Sequence, residues 1–468
     1  MALRTYFMLL AVVLTGCAVG PNYTRPSVAV PGNFRAPAPM SPPQAASLAD
    51  LKWFEVFKDD QLQQLIRTAL AQNYDLREAV ARVEAARASF GITRSNQFPN
   101  FAAGGSVEIN RLSRDGATHL PPEVLPSQNR NFGSAALSLL SFEVDLWGKL
   151  RRATEAARAN LLSADENRKA VITTLVSDVA TAYLTLRELD YELEISRRTL
   201  QTREESLDLT KSRQKGGVST LLDLRQAEQL VDTAAQTIPV IEQEIEQTEN
   251  HIKLLLGENP DEVTRGQVLT AQESPPEVPP GLPSQLLERR PDIRAAEQEL
   301  IAANAEIGVA RAAYFPELSL SGILGGQSTQ LASLFTGPHS TWNLVPQLTQ
   351  PVFTAGRLKS NVKLAEAERE IALVQYQKSI QTAFAEVSNS LIAHQRVRES
   401  REKQEALVFA LKDRLRLAYI RYRGGVDTQL NALDADRDLF QAELTLSQIR
   451  LSELLTVVQL YKALGGGW

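Results

Sequence analysis

The 468-residue sequence predicts an internally duplicated chain in which hairpins of membrane-type β-strands alternate with long coiled-coil helices. Three observations predict it. The chain is written twice: Asn73-Tyr74-Asp75-Leu76-Arg77 returns as Arg290-Pro291-Asp292-Ile293-Arg294, and Phe98-Pro99 returns as Phe315-Pro316, both 217 residues on. Beyond each Phe-Pro the offset becomes 208, joining Gly148-Lys149-Leu150 to Gly356-Arg357-Leu358 and Leu256-Gly257 to Leu464-Gly465. A repeat this long sets the architecture before any motif does, and the change of offset falls inside a hairpin, where a surface loop absorbs length at little cost. The second observation is a switch to period-two patterning after each Phe-Pro, and the third is a heptad pattern that follows each hairpin without proline for about 65 residues.

The N-terminus reads as an export signal: Arg4, then an apolar run from Tyr6 to Leu14 too short to span a bilayer, ending in Leu14-Thr15-Gly16-Cys17. That ending resembles a bacterial lipobox, which implies cleavage before Cys17 and a covalent lipid on it. Ala18 after the cysteine implies sorting to the outer membrane by the same resemblance. Cys17 is the sole cysteine, so no disulfide forms within the chain. Past residue 16 no stretch of about 18 consecutive apolar residues occurs, so any crossing of a membrane is expected to be by strands. The net charge of -5 and a pI near 5.7, with no Lys/Arg block, argue against a nucleic-acid partner.

Seven prolines between Pro21 and Pro43 suit an extended arm rather than a helix. Helical patterning then runs from Asp60 to about Ser95 and breaks at Phe98-Pro99. From Phe101 the alternation places Phe101, Ala103, Val107 and Ile109 on one face; a second run places Phe132, Leu140, Phe142 and Val144 together, opposite Ser141 and Glu143. The second half repeats this with Leu318, Leu320 and Leu324, then with Trp342, Leu344 and Leu348. Each half thus supplies one hairpin of strands about ten residues long, the length a tilted membrane strand needs. Trp147, Tyr314, Trp342 and Phe353 lie near the ends of these runs, as an aromatic girdle would.

Ile172, Leu175, Val179, Ala182, Leu186, Leu189 and Leu193 alternate spacings of three and four, and Val408, Leu411, Leu415, Ala418 and Tyr422 do the same in the second half. Helices of that length exceed a globular core and are expected to pair as coiled coils. After Gly216-Gly217-Val218 and Gly424-Gly425-Val426 a shorter helix returns, with Thr220 and Asp223 as a capping box and Pro239 as a source of kinking. The proline-rich stretch 257–283 reads as a linker. The expected division is therefore a signal peptide, 1–16; a lipidated arm, 17–59; a first repeat, 60–256; the linker, 257–283; a second repeat, 284–464; and a tail, 465–468. Four strands leave open edges that lipid does not tolerate, so the chain is expected to oligomerise.

Two stretches carry a family resemblance: Gly20-Pro21-Asn22-Tyr23-Thr24-Arg25-Pro26 after the lipobox, and Arg421-Tyr422-Arg423-Gly424-Gly425-Val426-Asp427 continuing through Leu433-Asp434-Ala435-Asp436-Arg437 to the C-terminal Gly-Gly-Gly-Trp. They resemble the OprM-type branch of the TolC family of outer-membrane efflux ducts, and the resemblance covers essentially the whole mature chain. It implies a mixed membrane β-barrel and α-helical barrel closed by a homotrimer, with helices reaching into the periplasm. It also implies a passive exit duct for drugs or other small toxic molecules, working with a periplasmic adaptor, the membrane fusion protein, and an inner-membrane transporter.

By the same resemblance, Tyr422, Leu430, Asp434 and Arg437 match positions that line or latch a closed periplasmic aperture, and the tips Gly216, Gly217, Val218, Gly424, Gly425 and Val426 are the adaptor contact. Asp434 and Arg437 share a helix face, but their first-half counterparts Gln226 and Gln229 are uncharged, so a charged latch would belong to the second half. The alternatives are a duct for protein secretion and a coiled-coil lipoprotein without a pore. The four histidines are scattered singles and no phosphate loop or nucleophile elbow occurs, so no enzyme site, metal or cofactor beyond the lipid on Cys17 is expected.

Overall fold

A computed structural model describes residues 18–36, 48–111, 129–272 and 283–466. In chain order the principal elements are α1 (Asp60–Gln72), α2 (Tyr74–Ser95), β1 (Asn100–Arg111), β2 (Asn129–Val144), α3 (Lys149–Lys215), α4 (Leu221–Leu256), α5 (Pro283–Arg289), α6 (Pro291–Ala312), β3 (Glu317–Ser328), β4 (Ser340–Thr349), α7 (Arg357–Arg423) and α8 (Gln429–Ala463). Two compact units cut across the repeats. One takes Glu84–Ser163 and Glu297–Gln375 with the described residues up to Pro26; the other takes Ser27–Val83, Ala164–Ala296 and Tyr376–Trp468.

In the first unit, the strands form one antiparallel sheet in the order β1-β2-β3-β4. Residues opposite one another in such a sheet share a face, so the register sorts every side chain. Phe101, Leu139, Gly322 and Leu344 fall together, as do Ala103, Leu137, Leu324 and Trp342. The second strand, however, does not keep one parity. Leu139 faces Gly322 while Phe142 faces Leu320, so Leu140 and Ser141 together oppose Ser321 in a β-bulge. The bulge corrects the alternation expected from sequence: Phe132 and Leu140 leave the apolar face, Leu137 and Leu139 join it, and Phe142 and Val144 stay on it. One face is then apolar from edge to edge, with Val107, Ile109, Leu324, Trp342 and Leu348 exposed. The other carries Glu108, Glu143, Ser319, Asn343 and Gln347, and Ser106 and Ser134 hydrogen-bond across it at 2.8 Å. At the sheet end Trp147 stacks on Phe315, with ring centroids 4.6 Å apart, and donates to the Pro316 carbonyl at 2.8 Å.

The arm is docked rather than loose over 18–25. Val19 N–H bonds to the Trp147 carbonyl at 2.9 Å, Arg152 donates to Asn22 Oδ1 at 2.7 Å, Asn304 donates to the Pro21 carbonyl at 3.0 Å, and Glu297 accepts from Tyr23 and Arg25. Gly20 lies so close to Gly308 that a Cβ on Gly20 would fall 2.5 Å from the Gly308 Cα. Because Arg152 belongs to the first repeat and Asn304, Glu297 and Gly308 to the second, the arm ties the two together.

In the second unit, the helix expected from Asp60 to Ser95 is divided at Asn73, whose backbone is extended (ψ 134°). Its side chain accepts from Leu76 N–H and donates to the Leu255 carbonyl at 3.0 Å. The repeat counterpart, Arg290, separates α5 from α6 and donates to the Ala463 carbonyl at 2.9 Å. Two unlike side chains thus close the ends of two equivalent return helices, satisfying carbonyls that have no partner within the helix.

Asp59 caps α1 through Gln61 and Leu62 N–H and also accepts from Tyr183, Gln267 and Gln272. Burial alone would raise this carboxyl, but those donors hold it below its ordinary value. One 18-residue stretch of α3 is apolar enough to cross a bilayer by length and composition, but 56% of it is buried inside the protein, as a core helix would be. Val179 and Tyr183 of this helix are fully buried. Pro239 lies inside α4, which continues through it.

The face assignment is tested at adjacent residues of β2. Leu137→Arg places a charge on the apolar face and is expected to cost about 2–4 kcal/mol near a bilayer midplane, depleting the chain from the outer-membrane fraction. Ser138→Arg, on the polar face, is expected to leave that amount unchanged.

Candidate functional site

The tips, the α3–α4 and α7–α8 turns, are built alike. Each long helix ends with the residue after its second glycine donating five residues back: Val218 N–H to the Arg213 carbonyl and Val426 N–H to the Arg421 carbonyl, both at 3.0–3.1 Å. Gly217 (φ +77°) and Gly425 (φ +70°) take the left-handed conformation this closure needs. Gly216 and Gly424 do not, so termination accounts for one glycine in each pair. Val218 and Val426 are exposed, and closing the helix does not explain them. The expected Thr220–Asp223 capping box is present, with Asp223 N–H to Thr220 Oγ1 at 3.1 Å and Thr220 N–H to Asp223 Oδ2 at 2.8 Å. At the other tip Asp427 accepts from Arg421, and then from Asn431 and Thr428 N–H, which hold its carboxyl below the usual range.

The four residues matched to an aperture divide into two environments. Tyr422 is buried: its hydroxyl donates to Gln429 Oε1 at 3.1 Å, Gln429 donates to Thr210 Oγ1 at 2.8 Å, and the Arg213 guanidinium lies 4.6 Å from its ring centroid. Leu430 is exposed on α8. Asp434 and Arg437 form an ion pair at 3.2 Å whose side chains are 36% and 61% exposed, so it adds at most about 1 kcal/mol.

The stronger charge contact lies two residues from Asp434 and was not anticipated. Arg203 of α3 binds Asp436 of α8 at 2.5 Å with both side chains under 10% exposed; it also donates to the Leu230 carbonyl and lies over the Phe440 ring at 4.9 Å. Burial raises the Asp436 carboxyl from its ordinary value and Arg203 pulls it back. Arg203 Nη2 is buried without a hydrogen-bond partner among the described residues.

This pair belongs to a polar seam. Glu188, Glu192, Ser196, Thr199, Arg203 and Thr210 are buried along α3 at spacings of three, four and seven, and Gln429, Asp436, Glu443 and Ser447 are buried along α8. Glu192 accepts from Gln448, and Glu443 from Arg198 and Lys412. Burial, with the Glu192 carboxylate beside it, pushes the Glu188 carboxyl up to about 8. A polar stripe at helical spacing reads in sequence as a solvated face. Only its matching stripe on a helix from the other repeat shows that the two faces meet. Cys17 lies outside the described residues; Ala18 and Val19 rest against Gly148 and Trp147, where the sheet gives way to α3.

The sheet with one apolar and one polar face, four long helices and paired glycine tips can be set beside known proteins. The outer membrane efflux protein family matches residues 65–258 and 282–466, more than half of the chain. The chain belongs to the outer membrane efflux protein family. It is 39% identical over 465 residues to the toluene efflux pump outer membrane protein TtgC of Pseudomonas putida, covering 98% of this chain and 94% of that one. It is 35% identical to outer membrane protein OprJ of Pseudomonas aeruginosa, covering 98% and 95%. Among solved structures it resembles the outer-membrane channel OprN (TM-score 0.89, 30% identity, covering 97% and 100%) and the open state of the Neisseria gonorrhoeae MtrE channel (TM-score 0.86, 33% identity, covering 96% and 98%). The family is one of transport channels, and the chain is an outer-membrane efflux duct.

Two outcomes follow from the seam. Asp436→Ala leaves Arg203 buried and unpaired and is expected to cost about 3–5 kcal/mol, lowering the thermal midpoint well below that of Asp434→Ala. The Glu188 carboxyl, by contrast, binds its proton more tightly when folded, so its stabilisation is full below its ordinary value of 4.5 and is lost as pH rises toward about 8. Glu188→Gln removes that loss. Melting curves of the two proteins are expected to nearly coincide near about pH 5, with the variant increasingly the more stable toward alkaline pH.

Proposed function

We propose that the chain is the passive exit component of a tripartite efflux system that expels small toxic molecules from the periplasm. It assembles as a homotrimer, is anchored through a lipid on Cys17, and extends α3, α4, α7 and α8 into the periplasm, toward a membrane fusion protein and an inner-membrane transporter. The observation that carries this reading is the sheet: four strands with one apolar face and two open edges, β1 and β4. Three copies would close a ring of twelve strands, an even count suited to a membrane barrel. Relatives named for toluene, solvent and antibiotic efflux point to apolar solvents and antibiotics as the cargo class.

The gate would be at the second-repeat tip. Leu430, Asp434 and Arg437 are on the accessible side of α8, while Tyr422, Gln429 and the Arg203–Asp436 pair hold α8 to α3. Opening requires parting this seam, and the unsatisfied Arg203 Nη2 makes the seam less costly to part than a fully paired one. The exposed Val218 and Val426 are the proposed adaptor contacts. With its adaptor and transporter, the chain is expected to restore resistance to toluene and antibiotics in cells lacking such ducts. Val218→Asp with Val426→Asp is expected to abolish the resistance without changing the amount in the outer membrane. No resistance from the native chain, despite normal outer-membrane levels and all three components present, would contradict the proposal.

A further inference from the structure

The internal repeat also duplicates a groove, and the two copies carry different charge. The first, about 510 Å³, lies between α3 and α4; the second, about 810 Å³, lies between α7 and α8 and extends to α3 and Arg290. All nine residues lining the first have counterparts, 208 residues on, that line the second. A groove repeated residue for residue belongs to the design of the helix pair, and its volume is that of a small-molecule site.

The floor of the first groove includes Ala182 and Leu189, both buried, and its rim carries Asp178, Glu244 and His251, all exposed. It opens on the side of α3 turned away from the chain's own cover. On the covered side, Tyr183 accepts from Gly266 N–H and Arg187 donates to the Gln267 carbonyl, both at 2.9 Å. Thr181 and Thr185 of the groove stand two residues to either side of Tyr183, about 200° round the helix from it.

Comparison of the two copies isolates the charge. In the second groove Glu386, the counterpart of Asp178, is paired with the Arg290 guanidinium at 2.6 Å, and Ser452 and Gln459 replace Glu244 and His251. In the first, neither Asp178 nor Glu244 makes a hydrogen bond or ion pair among the described residues. Burial holds the Asp178 carboxyl above its ordinary value, although Lys462 and, when protonated, His251 attract its charge without pairing with it. Glu244 has the buried Glu188 as a neighbour, whose carboxyl is pushed up by burial, by Glu192 and by Glu244 itself. The first groove thus sets two uncompensated carboxylates over an apolar floor, and a cleft of one charge sign with low-dielectric walls concentrates the opposite sign.

We infer that the α3–α4 groove binds organic cations with an apolar body, the cationic centre between Asp178 and Glu244 and the body on Ala182 and Leu189. This rests on the duct reading, in which the uncovered side of α3 lines the passage and cargo meets the groove in transit. The α7–α8 groove, its carboxylate already neutralised by Arg290, does not take this ligand.

The test uses tetraphenylphosphonium and tetraphenylborate, alike in shape and opposite in charge. Equilibrium dialysis against the full chain in zwitterionic nanodiscs, with empty nanodiscs as the blank, measures their uptake. The native chain is expected to bind the phosphonium saturably and the borate not at all. Asp178→Asn with Glu244→Gln is expected to weaken phosphonium binding by about tenfold or more, with an unchanged thermal midpoint because neither side chain is paired. Ser452→Ala with Gln459→Ala, in the second groove, should leave it unchanged. Absence of saturable phosphonium uptake, equal uptake of the borate, or full affinity in the Asp178/Glu244 variant would each overturn the site. Any of these in a chain that still restores resistance with its partners would leave the duct standing; binding as expected without restored resistance would keep the site and overturn the duct reading.

Discussion

Everything else in this structure depends on one constraint: a backbone N–H or C=O that enters hydrocarbon must be paired within the protein. Four strands in a row satisfy the two inner ones and leave β1 and β4 each with one unpaired edge. Burial of apolar side chains cannot compensate for that, since each unpaired group costs several kcal/mol in lipid. The sheet must also present a continuous apolar face, and the Leu140-Ser141 bulge secures it by resetting the parity of β2 between Leu139 and Phe142. Without the extra residue, Phe142 and Val144 would point with the polar set while Leu137 and Leu139 pointed with the apolar one.

Duplication offers an economical way to meet such a constraint, because a contact between repeats within a chain can recur between chains. Departures from exact repetition show where the halves do different work. Asn73 and Arg290 hold equivalent carbonyls, at Leu255 and Ala463, with different chemistry. Gly148 carries the arm, whereas Gly356 is open. Arg203 corresponds to Leu411, which packs with Val408 and Leu446 in an apolar cluster, so the buried ion pair exists on one side of the repeat only.

Strand number, helix length and the glycine tips were legible in the sequence because each rests on local periodicity or on a residue with a special backbone preference. The bulge was not, since Leu140-Ser141 contains neither glycine nor proline and leaves an apolar residue at both parities. The break at Asn73 was hidden because Tyr74 resumes helical patterning at once, although Pro291 marks the equivalent position in the second half. The family resemblance singled out Asp434 and Arg437 but not Arg203–Asp436, and partners 233 residues apart leave no local signal. Likewise the proline-rich arm announced an extended conformation but nothing of its docking, which depends on Arg152 and Gly308 far along the chain.

A duct requires that closed sheets surround a conducting path. The most direct measurement is single-channel conductance of the purified protein in a planar bilayer, comparing the native chain with Asp434→Ala. The expected result is discrete cation-selective steps that become larger in the variant, where the proposed carboxylate ring is removed. Correctly inserted oligomers that pass no current in either form would contradict it.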